Sequence, residues 1–394
     1  MMTLPLEGVR VVDLTQVEFG PVCTQVLGDF GADIIKIERP RTGDLSRSAI
    51  QDPAGSNNPV FLSLNRNKRS LELDLRNDAG RRVVHDLVSR SDVIVNNFRP
   101  GVMERLELGY ERCRELNPRI IYAFGSGFGS AAGPYAHKGG QDVLAQALTG
   151  AMARKSEPTH PLAIYATPLA DYTAGMLMTQ GILLALLARE RTGEGQRVEV
   201  SLYDALLSMQ LQEATMQLMR GVELNWAAKP LSGVFPTTDG AIVIVGAFKD
   251  NPLRSICSAL EIDDLSQRAE FETNDAQEAN RSDLHRILEE RTAQGTSAHW
   301  VRRLEEVDIL CAPVMALRET LADPQVAANE MIWRMPHPGA GEVVTLANPV
   351  KLSATPAQAR RSPPQLGEHT LEILREIGYS AERIDNIIAT RAAR

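Results

Sequence analysis

The sequence has few cysteines and no excess of positive charge. Its four cysteines, Cys23, Cys113, Cys257 and Cys311, are scattered, without the paired spacing of a zinc site or a redox motif. We therefore expect reduced thiols and neither a metal nor a redox cofactor. The net charge of -8 argues against general nucleic-acid binding, which needs a basic surface. An anionic small molecule is still compatible with this balance if basic side chains cluster locally.

Export and membrane-insertion signals are also missing. Residues 1–7 run directly into a strand pattern, without a charged and then apolar leader. The apolar run at 176–188 is too short to span a bilayer. These absences predict a soluble, cytoplasmic protein that does not bind membranes.

The first half of the chain alternates between short apolar runs and helical segments. Its predicted strands are 9–14, 32–38, 71–75, 92–96, 119–124 and 197–201. A helix from Gly20-Pro21 to about Phe30 separates the first two strands, with proline suited to its first turn. This βαβ order predicts a parallel sheet with right-handed crossovers. The expected fold class is α/β, with a Rossmann-like large domain.

The pattern changes after about residue 231. A hairpin-like segment at 234–245 surrounds Asp239-Gly240 and precedes several short, charged helices, as in a smaller α+β domain. The predicted organisation is a large domain at 1–200 with 340–394, a helical linker at 201–231, a small domain at 232–325 and a return linker at 326–339.

The glycine fingerprint of a dinucleotide site is missing from the first βα turn. Glu38 closes the second strand, where an acidic ribose ligand often lies. However, residues 15–21 contain one glycine, whereas three are needed to approach a pyrophosphate. We therefore do not expect NAD binding.

The segment 168–176 places a carboxylate at the entrance of a long helix. Pro168 interrupts regular structure, and residues 172–191 are mostly apolar and free of proline, as in a buried helix. Asp171 would lie at or beside the N-cap, where free N–H groups and the helix dipole hold a carboxylate ionised. From this segment alone, Asp171 is either a cap or a nucleophilic or basic carboxylate.

Several basic side chains fall within one short region of the predicted sheet. They are Arg39, Arg41, Arg47, Lys68, Arg69 and Arg76. Residues 65–70 have the composition of a polar turn before the strand at 71–75. Such a charge run is either a solvated face or a phosphate site, because open α/β folds bind ligands at the carboxyl ends of their strands.

Five sequence blocks occur in a characteristic order along the chain. They are VVDL at 11–14 with LGDFGADIIKIE at 27–38, NKRSLELDL at 67–75, NNFRPG at 96–101, ADYTAG at 170–175 and TGEGQRV at 192–198. Together they resemble the class III CoA-transferase family, which includes formyl-CoA transferase, the CaiB/BaiF-like proteins and the related α-methylacyl-CoA racemases.

The resemblance implies that Asp171 is the catalytic residue. It would attack an acyl-CoA thioester to give a mixed anhydride and CoA thiolate. The thiolate would then form an aspartyl-CoA thioester, which an acceptor carboxylate opens. Each tetrahedral intermediate needs an oxyanion partner, usually glycine-rich backbone. The resemblance also implies an interlocked homodimer, and dicarboxylates such as succinate are the expected substrates.

The same resemblance implies a set of contacts to the nucleotide and pantetheine of CoA. These contacts are Val17, Glu18, Arg39, Leu73, Arg76, Asn97, Phe98 and Arg105. The three arginines suit phosphate, which guanidinium binds through paired donors, and each is alternatively a surface arginine. Glu18 replaces the glutamine of formyl-CoA transferase, which puts an oxalate acceptor in question.

Gln141 distinguishes two branches of the family. The racemases carry a histidine where Gln141 stands, and racemisation needs two groups that remove and return the α-proton. Glutamine cannot serve as one of them. We therefore predict a CoA-transferase, with Gln141 beside the CoA site. The alternatives are an α-methylacyl-CoA racemase and a CoA-binding protein without turnover.

Overall fold

The computed structural model describes residues 3–50, 58–130, 133–157, 159–246 and 249–393. The chain divides into two compact units. Unit 1 consists of Met1–Ala151, Ile164–Met209 and Ala327–Arg394, and unit 2 of Met152–Ala163 and Gln210–Val326. Each unit is described by itself.

A six-stranded parallel sheet forms the centre of unit 1 in the described part of the chain. Its strands are β1 (Arg10–Asp13), β2 (Asp33–Glu38), β3 (Lys68–Glu72), β4 (Val93–Asn96), β5 (Ile121–Ser126) and β6 (Arg197–Ser201). They lie in the order β3-β2-β1-β4-β5-β6, and all pairings are parallel. The predicted α/β class is confirmed. The chain direction along the sheet reverses at β1, so the carboxyl ends of β1 and β4 flank the crevice where such sheets bind ligands.

Helices, most of them short, lie between the strands and after the last strand. In chain order they are α1 (Phe19–Asp29), α2 (Pro59–Leu64), α3 (Asp78–Val88), α4 (Val102–Arg105), α5 (Tyr110–Leu116), α6 (Asp142–Leu148), α7 (Leu169–Thr192), α8 (Leu202–Ser208), α9 (Leu211–Arg220), α10 (Pro252–Ala259), α11 (Asn274–Ala279), α12 (Arg281–Thr292), α13 (Ser297–Glu306), α14 (Leu317–Thr320), α15 (Pro324–Ala328), α16 (Thr370–Glu376) and α17 (Ala381–Ala389). Apolar side chains from both faces of the sheet pack against the unit 1 helices.

Strand β3 begins at Lys68 rather than at Leu71. The prediction of a polar turn is wrong for residues 68–70, because carboxylates on β1 and β2 neutralise the buried charges. The Lys68 ammonium lies 3.3 Å from an Asp13 oxygen, and the Arg69 guanidinium lies 2.6 Å from Asp33. Paired charges of this kind are tolerated inside a sheet.

Helix α7 is the main packing element on one face of the sheet. Its buried residues recur with helical spacing, at Ala170, Ala174, Met178 and Ile182, and they face α1. A Cβ at Gly175 would lie 2.7 Å from the Phe19 carbonyl oxygen, so the close approach of the two helices requires glycine. Judged by length and composition alone, α7 is long and apolar enough to span a bilayer. Core helices of soluble proteins can meet the same two criteria.

The C-terminal part of unit 1 returns to the first βα unit. It contains an antiparallel hairpin of β10 (Ile332–His337) and β11 (Gly341–Leu346), so β10 lies within the segment predicted as a return linker. Arg66 connects the two regions. Its guanidinium donates two hydrogen bonds of 2.8 and 2.7 Å to the buried Asp29 carboxylate and a third, of 2.9 Å, to the Leu346 carbonyl.

Unit 2 contains a three-stranded antiparallel sheet in its described part. Strands β7 (Ser232–Thr237), β8 (Gly240–Val245) and β9 (Leu310–Pro313) pair in sequence order, which confirms the predicted hairpin around Asp239. Phe235, Trp300 and neighbouring aliphatic residues form its core. Helix α8, within the segment predicted as a helical linker, instead contributes Leu202, Ala205 and Leu206 to the core of unit 1.

Arg66→Met tests the connection between the C-terminal segment and the first βα unit. The substitution leaves the buried Asp29 carboxylate without its cation, and we expect the free energy of unfolding to fall by about 3–5 kcal/mol. Urea denaturation measures this change. Arg112→Met, which removes an exposed i,i+3 partner of Glu115, is the control and should cost less than about 1 kcal/mol. Equal losses in the two variants would contradict the proposed connection.

Candidate active site

Two cavities lie at the carboxyl edge of the unit 1 sheet. The first cavity has a volume of about 250 Å³, and the second has about 560 Å³. Gln16, after β1, and Phe98, after β4, line both. The two cavities are therefore neighbours that share part of one wall.

The predicted site residues divide between these cavities. Val17, Glu18, Asn97, Phe98, Gln141 and Asp171 line the first cavity, and Arg39, Leu73, Arg76 and Phe98 line the second. Arg105 lines neither cavity, although Val102 and Leu106 on either side of it line the second. The fold thus brings residues from six separate segments of the chain to one edge of the sheet.

The loop after β1 is held by hydrogen bonds to two other segments. The Asn97 side chain accepts from the Gln16 N–H and donates to the Gln16 carbonyl, both at 2.9 Å. Val17 has a φ of 67°, which is a strained conformation for a β-branched residue. Its N–H donates to Asp44 at 3.0 Å. The loop therefore has a fixed shape at the cavity wall.

A buried network of charges lies behind this loop. The Lys36 ammonium lies 2.8 Å from Asp44 and donates to the Thr15 carbonyl at 2.7 Å. Burial opposes the ionisation of Asp44, but Lys36 and hydrogen-bond donors hold the pKa of its carboxyl well below the usual range. Beside it, burial lowers the pKa of Lys68 to about 8 despite its partner Asp13. The charged network therefore positions the loop.

The predicted basic cluster serves two purposes. Arg47 and Lys68 are buried and paired with Glu38 and Asp13, at 2.7 and 3.3 Å. Arg69 pairs with Asp33, Glu372 and Glu376. The remaining three, Arg39, Arg41 and Arg76, are exposed, and Arg39 and Arg76 line the second cavity. Neither interpretation of the cluster, as a solvated face or as a phosphate site, predicted the ion pairs of Arg47, Lys68 and Arg69.

Asp171 lies in the first turn of α7, whose N-cap is Pro168. Of the two interpretations of Asp171, the helix cap is wrong, because the buried carboxylate of Asp142 occupies that role. One Asp142 oxygen accepts from the N–H groups of Ala170 and Asp171, at 2.7 and 3.1 Å. The other accepts from the Gln146 amide at 2.5 Å. Asp142 therefore fixes the position of Asp171.

The electrostatics of Asp171 also differ from the prediction. Burial, and then the nearby charge of Asp142, raise the pKa of Asp171 to about 7. The helix N–H groups do not lower it, because Asp142 accepts their hydrogen bonds. Burial, Asp171 and Asp142 likewise raise the pKa of Glu18 to about 7. The first cavity therefore holds two carboxyl groups whose pKa values are raised to about 7.

Two glycines allow the far wall of the first cavity to close. A Cβ placed on Gly127 or on Gly140 would lie 2.3 Å from the Cα atom of the other. This contact brings the loop after β5 against the start of α6, where Gln141 is the N-cap. Backbone groups of both glycines consequently line the cavity.

Sequence reasoning missed four polar residues of the site. Gln16, Arg99 and Lys138 line the first cavity, and Asp142 caps the helix that carries Asp171. Arg99 lies in a block that follows a predicted strand, which is the available signal for it. In the described residues, no group of three or more His, Cys, Asp or Glu is arranged to hold a metal ion.

Comparisons with known proteins identify the class. A family model described as CoA-transferase family III matches residues 6–370. The chain is 34% identical to a formyl-CoA:oxalate CoA-transferase of Streptomyces avermitilis, over 97% of this chain and 98% of that relative. It is 37% identical to a succinyl-CoA:mesaconate CoA-transferase of Haloarcula hispanica, over 97% of this chain and 99% of that relative. A crystal structure of a CaiB/BaiF family protein from Brucella suis has a TM-score of 0.84 at 30% identity, over 95% of this chain and all of that one.

The chain belongs to CoA-transferase family III. This confirms the resemblance inferred from the five sequence blocks. The chain is an enzyme of this class, and CoA transfer is its general chemistry.

Asp142→Asn tests the electrostatic role of the α7 cap. Asparagine keeps an oxygen that accepts the α7 N–H groups but removes the charge. Because a neighbouring negative charge disfavours ionisation, we expect the pKa of Asp171 to fall below the wild-type value of about 7. NMR titration of isotope-labelled aspartate side chains measures this pKa. The signal of Asp171 is assigned as the one that is missing from the spectrum of Asp171→Asn.

Asp142→Ala is the matched variant for the cap itself. It removes both the charge and the acceptor, so we expect an additional loss of about 1 kcal/mol in the free energy of unfolding relative to Asp142→Asn. An unchanged pKa of Asp171 in Asp142→Asn would show that Asp142 does not tune the carboxyl.

Proposed function

We propose that this enzyme transfers CoA from an acyl-CoA thioester to a free carboxylate, with Asp171 as the covalent nucleophile. The observation that carries the proposal is the arrangement of the two neighbouring cavities. The Asp171 carboxyl lines the first cavity, and two arginines line the larger second cavity. A molecule with a reactive thioester at one end and phosphates at the other matches this arrangement.

CoA would bind with its nucleotide in the second cavity. Arg39 and Arg76 supply guanidinium groups for the phosphates, and Arg105 is a third candidate from α4. Leu73 offers apolar surface there. Phe98 lines both cavities, so the pantetheine arm would pass along this ring toward Asp171, beside Val17, Asn97 and Gln141.

The chemistry would proceed through two covalent states of Asp171. Its carboxylate attacks the thioester carbon, and the C–S bond breaks to give an aspartyl anhydride and CoA thiolate. The thiolate attacks the aspartyl carbonyl, releases the first carboxylate and leaves an aspartyl-CoA thioester. The acceptor carboxylate then reverses these steps. Dividing the exchange in this way lowers each barrier, and no metal or NAD takes part in the proposed sequence.

Raised proton affinity suits Asp171 to this role. A carboxylate held with a pKa near 7 is a stronger nucleophile than one of ordinary acidity, because basicity and nucleophilicity rise together. The backbone of Gly127 and Gly140, which lines the same cavity, is the proposed source of oxyanion donors.

A dicarboxylate is the proposed acceptor. Arg99 and Lys138 line the first cavity together with Asp171. A guanidinium and an ammonium there provide partners for a second carboxylate, which does not itself react. Two of the relatives above are named for dicarboxylate acceptors, oxalate and mesaconate, which supports the same class.

The proposal includes a cytoplasmic homodimer. Helix α7 exposes Leu183, Leu184 and Leu187 on unit 1, and α9 exposes Leu211 and Leu218 on unit 2. Contiguous apolar residues on the surface of a unit are typical of an association site. The packing of the opposite face of α7 against α1 supports a soluble protein rather than one inserted in a membrane.

Intact-protein mass spectrometry after incubation with succinyl-CoA tests the reaction. We expect a covalent adduct on Asp171 that hydroxylamine removes, because anhydrides and thioesters react with this nucleophile. Asp171→Ala should form no adduct. Asp78→Ala, at a carboxylate on α3 whose side chain is 71% exposed, is the control and should behave as wild type.

Two other results would overturn the proposal. If no adduct forms with succinyl-CoA or with a panel of other acyl-CoA thioesters, and the α-position exchanges with heavy water, the protein is a racemase. If neither signal appears and CoA still binds, it is a CoA-binding protein without turnover.

A further inference from the structure

Glu18 is a second carboxyl group in the first cavity, and the reaction sequence above does not use it. It lines the same cavity as Asp171 and is partly buried. Although Glu18 occupies the N-cap position of α1, its side chain makes no capping hydrogen bond. The carboxyl is therefore not used to stabilise the helix that it precedes.

The backbone of Glu18 is held in place by its neighbours. The preceding residue, Val17, donates its N–H to Asp44 at 3.0 Å, and Gln16 is paired with Asn97 through two hydrogen bonds. The Glu18 carbonyl accepts from the Val22 N–H at 2.9 Å within α1. A side chain on such a rigid segment keeps its place at the cavity wall, as a reacting group must.

The charges around Glu18 favour a shared proton. Asp171 on α7 and Asp142 on α6 are the negative groups that act on it, and Arg99 and Lys138 line the cavity from the loops before α4 and α6. Among the described residues, none donates a hydrogen bond to the Glu18 or Asp171 carboxylate. Two unpaired carboxylates in one small cavity do not both ionise readily, because their charges repel.

We propose that Glu18 is a catalytic acid–base residue, which holds the proton while Asp171 attacks and passes it to the sulfur of CoA. This role rests on the proposed transferase function. It goes beyond that function because it assigns the proton transfers to a second side chain.

The proton transfers balance in each half of the reaction. As the Asp171 oxygen bonds to the acyl carbon, the C–S bond breaks and its electron pair stays on sulfur. The Glu18 carboxyl gives its proton to that sulfur, which leaves Glu18 ionised and CoA as a thiol. Glu18 then takes the proton back as the sulfur attacks the aspartyl carbonyl, and the first carboxylate leaves.

The acidities of the two partners allow this exchange. Glu18 has a pKa of about 7, whereas an alkyl thiol such as cysteine has one near 8.5. Transfer of the proton from Glu18 to the thiolate is therefore slightly favourable in free energy. Because the difference is small, the proton can also return from the thiol to Glu18. General acid–base groups work best under this condition.

The shared proton predicts a particular pH dependence. The active form has Asp171 ionised and Glu18 protonated, so adduct formation should rise as the pair loses its first proton and fall as it loses the second. The repulsion between the two charges raises the pKa of the second proton loss. It does not raise the pKa of the first, because Glu18 is still neutral when the first proton leaves. A bell-shaped profile centred near neutrality is expected.

Glu18→Gln tests the proposal, since glutamine keeps the size but cannot supply a proton. Single-turnover formation of the Asp171 adduct with succinyl-CoA is measured from about pH 5 to about pH 9. At pH 7 we expect a rate about 100-fold below wild type. The alkaline limb of the pH–rate profile should disappear. The midpoint of the acid limb should stay within about half a pH unit of its wild-type position. Glu18→Asp should restore the bell shape, whereas Glu190→Gln, on the exposed far end of α7, should match wild type.

A direct titration separates this proposal from the transferase function. NMR titration of isotope-labelled glutamate side chains should show Glu18 gaining acidity in Asp171→Asn, because the repelling charge is gone. This result needs no turnover. A missing adduct in wild type refutes the transferase and with it the catalytic role of Glu18, whereas the titration reports whether the shared proton exists. An alkaline limb retained in Glu18→Gln, alongside normal adduct formation, refutes the Glu18 proposal alone.

Discussion

The contact between the Asp142 carboxylate and the first turn of α7 is the interaction on which the site depends. Asp142 accepts the N–H groups of Ala170 and Asp171, so the favourable end of the helix dipole stabilises Asp142. Asp171, in the same turn, is left without those donors and next to a negative charge. This contact therefore fixes the position of Asp171 and, together with the burial of Asp171 itself, raises its affinity for a proton.

The opposite wall of the first cavity depends on a strained loop. A β-branched residue at a positive φ, as at Val17, costs about 1–3 kcal/mol. The conformation persists because Asp44 holds the Val17 N–H and Asn97 holds the backbone of the preceding residue. Asp44 is in turn held by Lys36 in the buried network. The buried Lys36–Asp44 pair thus holds the segment that carries Glu18, and a rigid site needs less reorganisation during reaction.

The parallel sheet could be predicted because each strand is a short apolar run with a turn at its end, a local property of the sequence. The start of β3 could not, because Lys68 and Arg69 become buried only when Asp13 and Asp33 meet them across the sheet. Asp171 was recognised because it lies in one of the five sequence blocks and at the start of a predicted helix. Its pKa was predicted in the wrong direction, since both its burial and the nearby charge of Asp142 arise only from packing between separate segments. Contacts between distant segments therefore account for what the sequence did not reveal.

The fate of the acceptor oxygen tests the covalent role of Asp171 most directly. Turnover with an acceptor carboxylate labelled with heavy oxygen, followed by mass spectrometry of the peptide that contains Asp171, reports it. The account predicts label in Asp171, because the bridging oxygen of the second anhydride comes from the acceptor and stays with the aspartate when thiolate attacks the acyl carbon. An unlabelled Asp171 after many turnovers would contradict the account.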